Sequence, residues 1–424
     1  MQHQVPPIAH TPPTIVPSQV IRVLERNESS AIDHNKINKT VFKPSFWDSA
    51  PVKRNNQEKN QIIQTDFVPE TVPELPNGYE WIDLDPNCDS DLSQITDFLN
   101  KHYQKFDKEY KKDYIRWLLL PPTYSQYKRL ENVPVSTWCI GVRACQNGAL
   151  VGLITARPVI YKIDAKYIQS FTIDFLCTHK QLRQKRLAPV LIKEMHRRLA
   201  MYQYDTGAYF VTNCHLPFNS TVETSQILFR PLTLEKLSKT LFAGLPPQQL
   251  AQLQQRYDRL QPTEDLQLIR FANLEDVPVM LNIYEDYCQR YRWCQTMNAA
   301  EFEHYFLPNN EMIFTYVITN AEGEIKDFVS LHAFWTRRGE KNAYLYYVSF
   351  INDALLEFFM RNILFIMKSN GFDMLFANNV LGIAKVFTGR ALDFKSLDEI
   401  CNYYIFNYNT QTISNNECGL NKIF

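Results

Sequence analysis

The order of secondary-structure signals repeats along the chain, and this repeat most restricts the possible folds. In the first half, a helix, a hairpin, a strand, a second helix and a further strand are predicted at residues 91–103, 138–163, 167–177, 186–200 and 208–214. In the second half, the same five elements follow in the same order at residues 276–291, 313–335, 343–350, 354–371 and 374–380. We interpret the pattern as two copies of one unit. The alternative is a chance similarity among common α/β elements.

This pattern predicts an α/β (α+β) fold in which mixed sheets are flanked by helices and a pseudo-two-fold repeat relates two halves. Residues 1–40 are rich in proline and poor in apolar residues, so we expect a disordered leader. The predicted halves are residues 41–230 and residues 231–424. Asn147-Gly148 is expected to form a two-residue turn in the first hairpin.

The composition excludes several classes of protein. Lys and Arg number 45, as do Asp and Glu, so no overall field attracts nucleic acid or a membrane surface. The nine cysteines form neither a CxxC pair nor a Cys/His cluster with zinc spacing. No run of about 18 apolar residues is present, and the first residues lack a signal-peptide pattern. We therefore expect a cytoplasmic protein with reduced cysteines, no metal, no nucleic-acid partner and no membrane-spanning segment.

The stretch FLCTHKQLRQKRLAPVLIKEM, residues 175–195, places a basic loop between a strand and a helix. The loop carries the cations Lys180, Arg183, Lys185 and Arg186. A helix N-terminus offers free N–H groups and a positive dipole end, which together bind phosphate. No P-loop motif is present, but a strand, a basic loop and a helix in this order form the acyl-CoA site of acetyltransferase-like folds. The alternative is a solvated basic loop beside a core helix.

Several segments resemble those of the N-myristoyltransferase family. The central one is IDFLCTHKQLRQKRLAPVLIKEMHRRL, residues 173–199, in which Asp174 stands where the family usually has Asn. Five others follow the family order: FWDSAP, RWLLLPP, DFVSLHAF, KSNGFDMLFANN and CGLNKIF. The resemblance covers about residues 42–424.

The resemblance implies both a fold and an activity. The fold would be two intertwined acetyltransferase-like (GNAT) halves. The first would hold myristoyl-CoA as co-substrate, with no permanently bound cofactor. The second would supply most of a groove for a peptide that begins with glycine. A monomeric acyltransferase that myristoylates N-terminal glycine is therefore expected.

The resemblance also assigns site residues. Contacts with acyl-CoA are expected from Ser45, Phe46, Trp47, Phe175, Leu176, Cys177, Thr178, Gln184, Arg186, Leu187 and Ala188. Peptide contacts are expected from Tyr110, Tyr344 and Asp398. Within the first set, the backbone N–H groups of Phe175 and Leu176 would form the oxyanion hole, and Gln184 replaces the usual Ser.

The proton acceptor has two candidates. The family uses the chain's own C-terminal carboxylate, which here would belong to Phe424. Asp174 is the alternative, because a carboxylate there could take the amine proton through a water molecule. A third interpretation gives Asp174 no chemical role and leaves it hydrated at the end of a strand.

Departures from the family concentrate in the peptide half. Phe229 replaces a peptide-contacting His, and residues 391–399 keep Asp398 but lose the family's glycines. Residues 104–112 are basic where the family has an acidic run that receives a basic substrate residue. Three hypotheses therefore stay open: an active myristoyltransferase, a catalytically weak acyl-CoA-binding paralogue, and an acyltransferase for another acyl length or amine.

Overall fold

A computed structural model describes most of the chain. The described residues are 60–63, 71–103, 107–122, 133–202, 208–212, 221–309 and 312–420. The predicted leader and four predicted site residues lie outside this part of the chain: Ser45, Phe46, Trp47 and Phe424.

Helices and strands alternate along the described chain. The helices are α1 (Asp89–His102), α2 (Lys112–Leu119), α3 (Leu187–Met201), α4 (Pro247–Asp258), α5 (Val277–Arg290), α6 (Ala299–Phe306), α7 (Asp353–Ser369) and α8 (Ala384–Phe387). The strands of the first half are β1 (Gln61–Ile62), β2 (Tyr79–Asp83), β3 (Lys108–Glu109), β4 (Cys139–Ala144), β5 (Leu150–Ile163), β6 (Lys166–Thr178), β7 (Ala208–Thr212) and β8 (Glu223–Pro231). Those of the second half are β9 (Ile269–Phe271), β10 (Trp293–Thr296), β11 (Ile313–Thr319), β12 (Ile325–Thr336), β13 (Lys341–Val348), β14 (Met374–Asn378), β15 (Lys395–Ile405) and β16 (Tyr408–Asn409).

The predicted repeat is present in this order of elements. A helix, a hairpin, a strand, a helix and a strand appear as α1, β4–β5, β6, α3 and β7, and again as α5, β11–β12, β13, α7 and β14. In each half the strand–helix–strand unit has a parallel strand pair, β6 with β7 and β13 with β14. The prediction of a two-residue turn at Asn147-Gly148 is wrong. The loop is longer because Ala144 N–H donates to Ala149 O, and Gly148 takes a left-handed φ of 68° within it.

The two halves share one sheet rather than keeping separate ones. Its strand order is β2-β4-β5-β6-β7-β15-β8-β14-β13-β12-β11-β9. Strand β15 of the second half pairs with β7, and β8 pairs with β14, so each half contributes a strand to the other. The mixed α/β class is confirmed. The boundary proposed at residue 230 stays a prediction; it falls at the end of β8.

Helix α7 shows how the sequence sets the helical layer. Asn352 caps its start by accepting from the N–H of Leu355, and Gly371 follows its end with a φ of 75°. Between these ends the apolar residues recur at intervals of three and four and are buried: Leu356, Phe359, Met360, Ile363, Leu364 and Met367. The helix therefore covers the sheet with one apolar face.

A buried lysine on β5 joins the two halves. Lys162 on β5 donates to the carbonyl oxygens of Cys288 (2.9 Å) and Tyr291 (3.0 Å), at the C-terminal end of α5. The last carbonyls of a helix lack partners within it, and a cation there also complements the helix dipole. Strand β10, which follows α5, pairs directly with β5, so this contact fixes the second half against the first.

Candidate active site

A β-bulge interrupts β6 at the predicted acyl-transfer residues. Thr155 on β5 pairs with Phe175, whereas the next residue, Ala156, pairs with Ile173. Asp174 is therefore the extra residue of the bulge. The N–H of Phe175 donates to Thr155 Oγ1 at 3.1 Å. The bulge thus removes Asp174 from the ladder and directs the N–H of Phe175 to a side-chain oxygen, whereas Leu176 stays paired with Ile154.

The loop after β6 has the backbone of an anion-binding turn. Gln184 and Arg186 adopt φ values of 65° and 64°. A left-handed conformation costs a non-glycine residue about 1–2 kcal/mol, and such strain concentrates at functional sites. Alternating left- and right-handed residues turn successive N–H groups toward one point, where they hold an anion. Both side chains are exposed, so an anion can reach them from solvent.

Helix α3 starts immediately after this loop, and the described part of the chain gives it no side-chain cap. The N–H groups of Leu187 and Ala188 therefore face outward, and Pro189 lacks an N–H to satisfy. Gly152 allows the helix to lie close to β5, since a Cβ there would meet Leu187 Cδ2 at 3.1 Å. Gly152 also pairs with Thr178, the last residue of β6. The helix start is thus held above the strand end.

The four cations of the loop have different environments. Arg183 donates to the carbonyl oxygen of His102 at 2.6 Å, which directs it toward α1. Burial, and then the nearby cations, lower the pKa of His102 to about 4, so its ring stays neutral and accepts from the N–H of Lys180. Lys185 and Arg186 are exposed. The candidate phosphate cradle, residues 180–188, therefore offers fewer cations to a ligand than the sequence predicted, because Arg183 is bonded to the backbone of α1.

An aromatic wall adjoins the bulge. The ring of Phe175 meets the rings of Tyr103 and Tyr110 edge-on, with centroids 5.6 and 5.7 Å apart. Tyr110 in turn contacts Tyr114 at 6.3 Å. The structure thus brings together one predicted peptide residue, Tyr110, and one predicted oxyanion donor, Phe175.

The other predicted peptide residues lie further along the sheet. Tyr344 donates to Asn378 Oδ1 at 2.6 Å and is paired in register with Phe376, which is paired with Phe229. Phe229 and Tyr344 therefore share one buried face of the sheet. Asp398 differs, because it is exposed in the irregular stretch of β15 between Ser396 and Ile400.

A lysine lies between the two halves beside this face. The Lys108 ammonium is 3.9 Å from the ring centroid of Tyr114 and 5.7 Å from that of Phe334. Phe334 contacts Phe376 with centroids 5.8 Å apart. The basic segment identified in the sequence thus connects Tyr110 to the face that carries Tyr344.

Sequence reasoning missed a buried ion pair at the bulge. Arg157 Nε donates to Asp174 Oδ2 at 2.9 Å, and the two side chains are 14% and 2% exposed. Arg157 Nη1 also donates to the Tyr305 hydroxyl at 2.8 Å. The interpretation of Asp174 as a hydrated strand end is therefore wrong. A signal was available, because Arg157 interrupts an apolar strand and a buried charge needs a partner.

The described part of the chain has neither a candidate metal site nor a membrane-spanning helix. Among those residues, no group of three or more His, Cys, Asp or Glu side chains could hold a metal ion. The eight cysteines described there are all free thiols. No helix in that part of the chain is long and apolar enough to cross a membrane.

Family models match both halves of the chain. Residues 58–222 match "Myristoyl-CoA:protein N-myristoyltransferase, N-terminal domain", and residues 239–421 match the corresponding C-terminal domain. The chain belongs to the N-myristoyltransferase family. The resemblance drawn from the central motif is thereby confirmed, and the two matched regions lie on either side of β8.

Relatives in this family are named glycylpeptide N-tetradecanoyltransferases, which are acyltransferases. The one from Kluyveromyces lactis is 30% identical over 68% of this chain and 64% of its own length. The one from Plasmodium falciparum is 26% identical over 88% of this chain and 92% of its own. The one from Drosophila melanogaster is 27% identical over 89% of this chain and 80% of its own length.

A solved N-myristoyltransferase structure shares the fold. The Saccharomyces cerevisiae enzyme with bound myristoyl-CoA has a TM-score of 0.75 and 26% identity, over 87% of this chain and 93% of that one. A second structure of the yeast enzyme reaches a TM-score of 0.78 at 24% identity, over 96% of this chain and 100% of that one. The expected N-myristoyltransferase fold is confirmed.

Proposed function

We propose that this chain transfers a myristoyl group from myristoyl-CoA to the N-terminal glycine amine of a peptide. One observation carries the proposal. A bulged strand, β6, runs into an anion-binding turn and the uncapped start of α3. This arrangement supports a site in which oxyanion donors and phosphate-binding groups lie at the two ends of one short segment, as an acyl-CoA thioester requires.

Acyl-CoA would bind along the whole segment from the end of β6 to the start of α3. The N–H groups of Leu187 and Ala188, with the side chains of Gln184 and Arg186, would hold the CoA phosphates. The acyl chain and thioester would then follow Cys177 and Thr178 along the strand end. Ser45, Phe46 and Trp47 would cover the CoA, although they lie outside the described residues.

The acyl transfer needs few side chains. The glycine amine attacks the thioester carbonyl carbon, the C–N bond forms, and the C–S bond breaks to release CoA. Backbone N–H groups of Phe175 and Leu176 stabilise the negative oxygen of the intermediate, an interaction worth about 3 kcal/mol per donor in known enzymes. The Phe175 N–H now bonded to Thr155 would take the thioester oxygen as its acceptor instead.

The amine also has to lose a proton. We assign the proton acceptor to the carboxylate of Phe424, outside the described residues, because Asp174 is already engaged by Arg157. Proton uptake by Asp174 would break that ion pair. The cytoplasmic location and the monomeric state stay predictions, with the free thiols as support for the first.

A binding paralogue without efficient catalysis remains the second candidate function. Phe229 on the peptide face and the basic residues beside Tyr110 favour it, since both change the side of the site that receives the peptide. The acyl-CoA side is the same in both candidates. Product formation therefore separates them, whereas acyl-CoA binding does not.

Charge inversion at the cradle is expected to weaken acyl-CoA binding. Arg186→Glu places an anion beside the CoA phosphates, and we expect a loss of about 2 kcal/mol, or roughly 30-fold in Kd. Isothermal titration calorimetry with myristoyl-CoA measures this effect. Lys326→Glu, in the exposed β12 hairpin of the other half, makes the same charge change as a control. Equal affinities for the two variants would contradict the cradle assignment.

The peptide preference is expected to disfavour a cationic side chain beside Tyr110. Lys108 and the exposed Lys111 and Lys112 raise the local positive potential beside Tyr110 and disfavour a cationic side chain. In octapeptides that begin with glycine and carry Lys, Gln or Glu at each downstream position, Lys should give the lowest kcat/KM where the peptide passes this segment. Strong selection for Lys or Arg there would show that the basic segment does not face the peptide.

A further inference from the structure

A buried ion pair includes the residue just before the proposed oxyanion donors, and its arginine also contacts the second half. Arg157 on β5 donates through Nε to Asp174 on β6 (2.9 Å) and through Nη1 to the hydroxyl of Tyr305 on α6 (2.8 Å). The guanidinium also lies over the Tyr305 ring, 5.1 Å from its centroid. One cation thus links the bulged strand to the second half.

The bulge brings the carboxylate of this pair close to the reaction. Asp174 is the extra residue in β6, and its neighbour Phe175 would bind the thioester oxygen. Adjacent residues of a strand are about 3.3 Å apart along its axis. The amine that attacks the thioester must therefore approach within a few ångströms of residue 174. An uncompensated carboxylate at that distance would hold the amine as ammonium and slow its attack.

The groups around the pair are largely neutral. The titratable groups that face it from the surrounding elements are Tyr103, Tyr114, Tyr161, Tyr305, Tyr346, His304 and His332. Burial raises the pKa of each tyrosine above its ordinary value and lowers the pKa of both histidines. Among the described residues, Glu301 acts on Tyr305 and Tyr346, and Lys108 acts on His332.

We propose, on the basis of the proposed acyl transfer, that Arg157 is a positioning residue that holds Asp174 in a neutral pair so that the substrate amine loses its proton beside it. Arg157 acts through Asp174 rather than on the substrate. Removing either residue alone should therefore shift the pKa of the substrate amine, in opposite directions for the two residues. Removing both together should leave that pKa unchanged.

The pH dependence of kcat/KM tests this role. In Arg157→Met the Asp174 carboxylate loses the adjacent guanidinium charge, so the amine pKa rises and the rising limb of the profile moves up by about one pH unit. In Asp174→Asn the Arg157 cation is uncompensated, so the limb moves down by a similar amount and the peptide KM increases. The double variant Arg157→Met with Asp174→Asn returns the limb to that of the parent protein.

Profiles are measured from about pH 6 to 9.5, which brackets a free α-amine, with myristoyl-CoA and one glycine octapeptide. Tyr305→Phe is the matched control, because it removes one hydrogen bond of Arg157 without changing any charge near the bulge. Its limb should coincide with that of the parent. Calorimetry with myristoyl-CoA should give unchanged affinity for all variants, because the pair lies on the amine side of the thioester.

Opposite shifts that cancel in the double variant support the proposal. Shifts in the same direction, coincident limbs, or a double variant that stays displaced would overturn it. If a single variant does not fold, the double variant and Arg157→Lys decide, and both must give the parent limb. Absence of product from the parent protein refutes the proposed function together with this role, whereas an active parent with unshifted variants refutes this role alone.

Discussion

Replacing Glu223 by Gln is expected to remove most of the pH dependence of stability between about pH 5 and 8. Glu223 is fully buried on β8, and none of the residues that the structure describes forms a hydrogen bond with its Oε2 atom. Burial raises the pKa of this carboxyl to about 8, from an ordinary value of 4.5. In the orientation that satisfies both its ends, the Asn415 amide donates to Oε1 at 2.9 Å.

The pKa of Glu223 is higher in the folded protein than in the unfolded chain, so the native state favours the protonated carboxyl. Stability is therefore highest below the unfolded pKa, falls as pH rises toward the folded pKa, and levels off above it. A shift from 4.5 to about 8 corresponds to about 4–5 kcal/mol in total.

Denaturant unfolding at several pH values measures this change. At pH 9 the Gln variant should be the more stable protein by several kcal/mol, and near pH 4 the two should be similar. Glu235→Gln, an exposed carboxyl on the neighbouring segment, should follow the parent protein at every pH. Parallel curves for the parent and Glu223→Gln would show that Glu223 does not titrate on unfolding.

Deleting Ile423 and Phe424 is expected to lower turnover by about 100-fold or more, the usual size of a general-base contribution. The preceding segment is held independently of these residues. Gly419 N–H donates to Trp293 O at 2.7 Å, and Leu381 N–H donates to Cys418 O at 3.1 Å. The deletion should therefore remove the carboxylate from the site without releasing the segment.

The control for this deletion is an added residue. One glycine after Phe424 keeps every side chain but moves the carboxylate by about 3.3 Å, the rise of an extended residue. Both variants should keep the parent affinity for myristoyl-CoA and lose turnover under saturating substrates. Full turnover in both variants would exclude the terminal carboxylate as the proton acceptor and leave Asp174 as the other candidate.

The sequence predicted the elements of the fold better than their pairing. Local periodicity and turn residues placed the repeated helices and strands within a few residues of their observed limits. The pairing of β15 with β7 and of β8 with β14 joins distant segments, and no local pattern encodes it. Periodicity reports which face of a strand is buried, but not which strand lies beside it.

The site was predictable where its chemistry follows the chain, as in the strand, loop and helix at residues 175–195. Two features were not. The left-handed backbones of Gln184 and Arg186 have no sequence signal, because residues other than glycine rarely adopt them. The Arg157–Asp174 pair depends on a bulge that shifts the register of β6 against β5, and that register appears only in three dimensions.

The most direct test of the account is product formation. The protein is incubated with myristoyl-CoA and an octapeptide that begins with glycine, and the products are examined by mass spectrometry. An N-acetylated copy of the peptide serves as the blocked-amine control. We expect a peptide that gains one myristoyl group on its N-terminal amine, and no product from the blocked peptide. Tight binding of myristoyl-CoA with no acylated peptide, across a library of glycine peptides, would contradict the proposed acyl transfer.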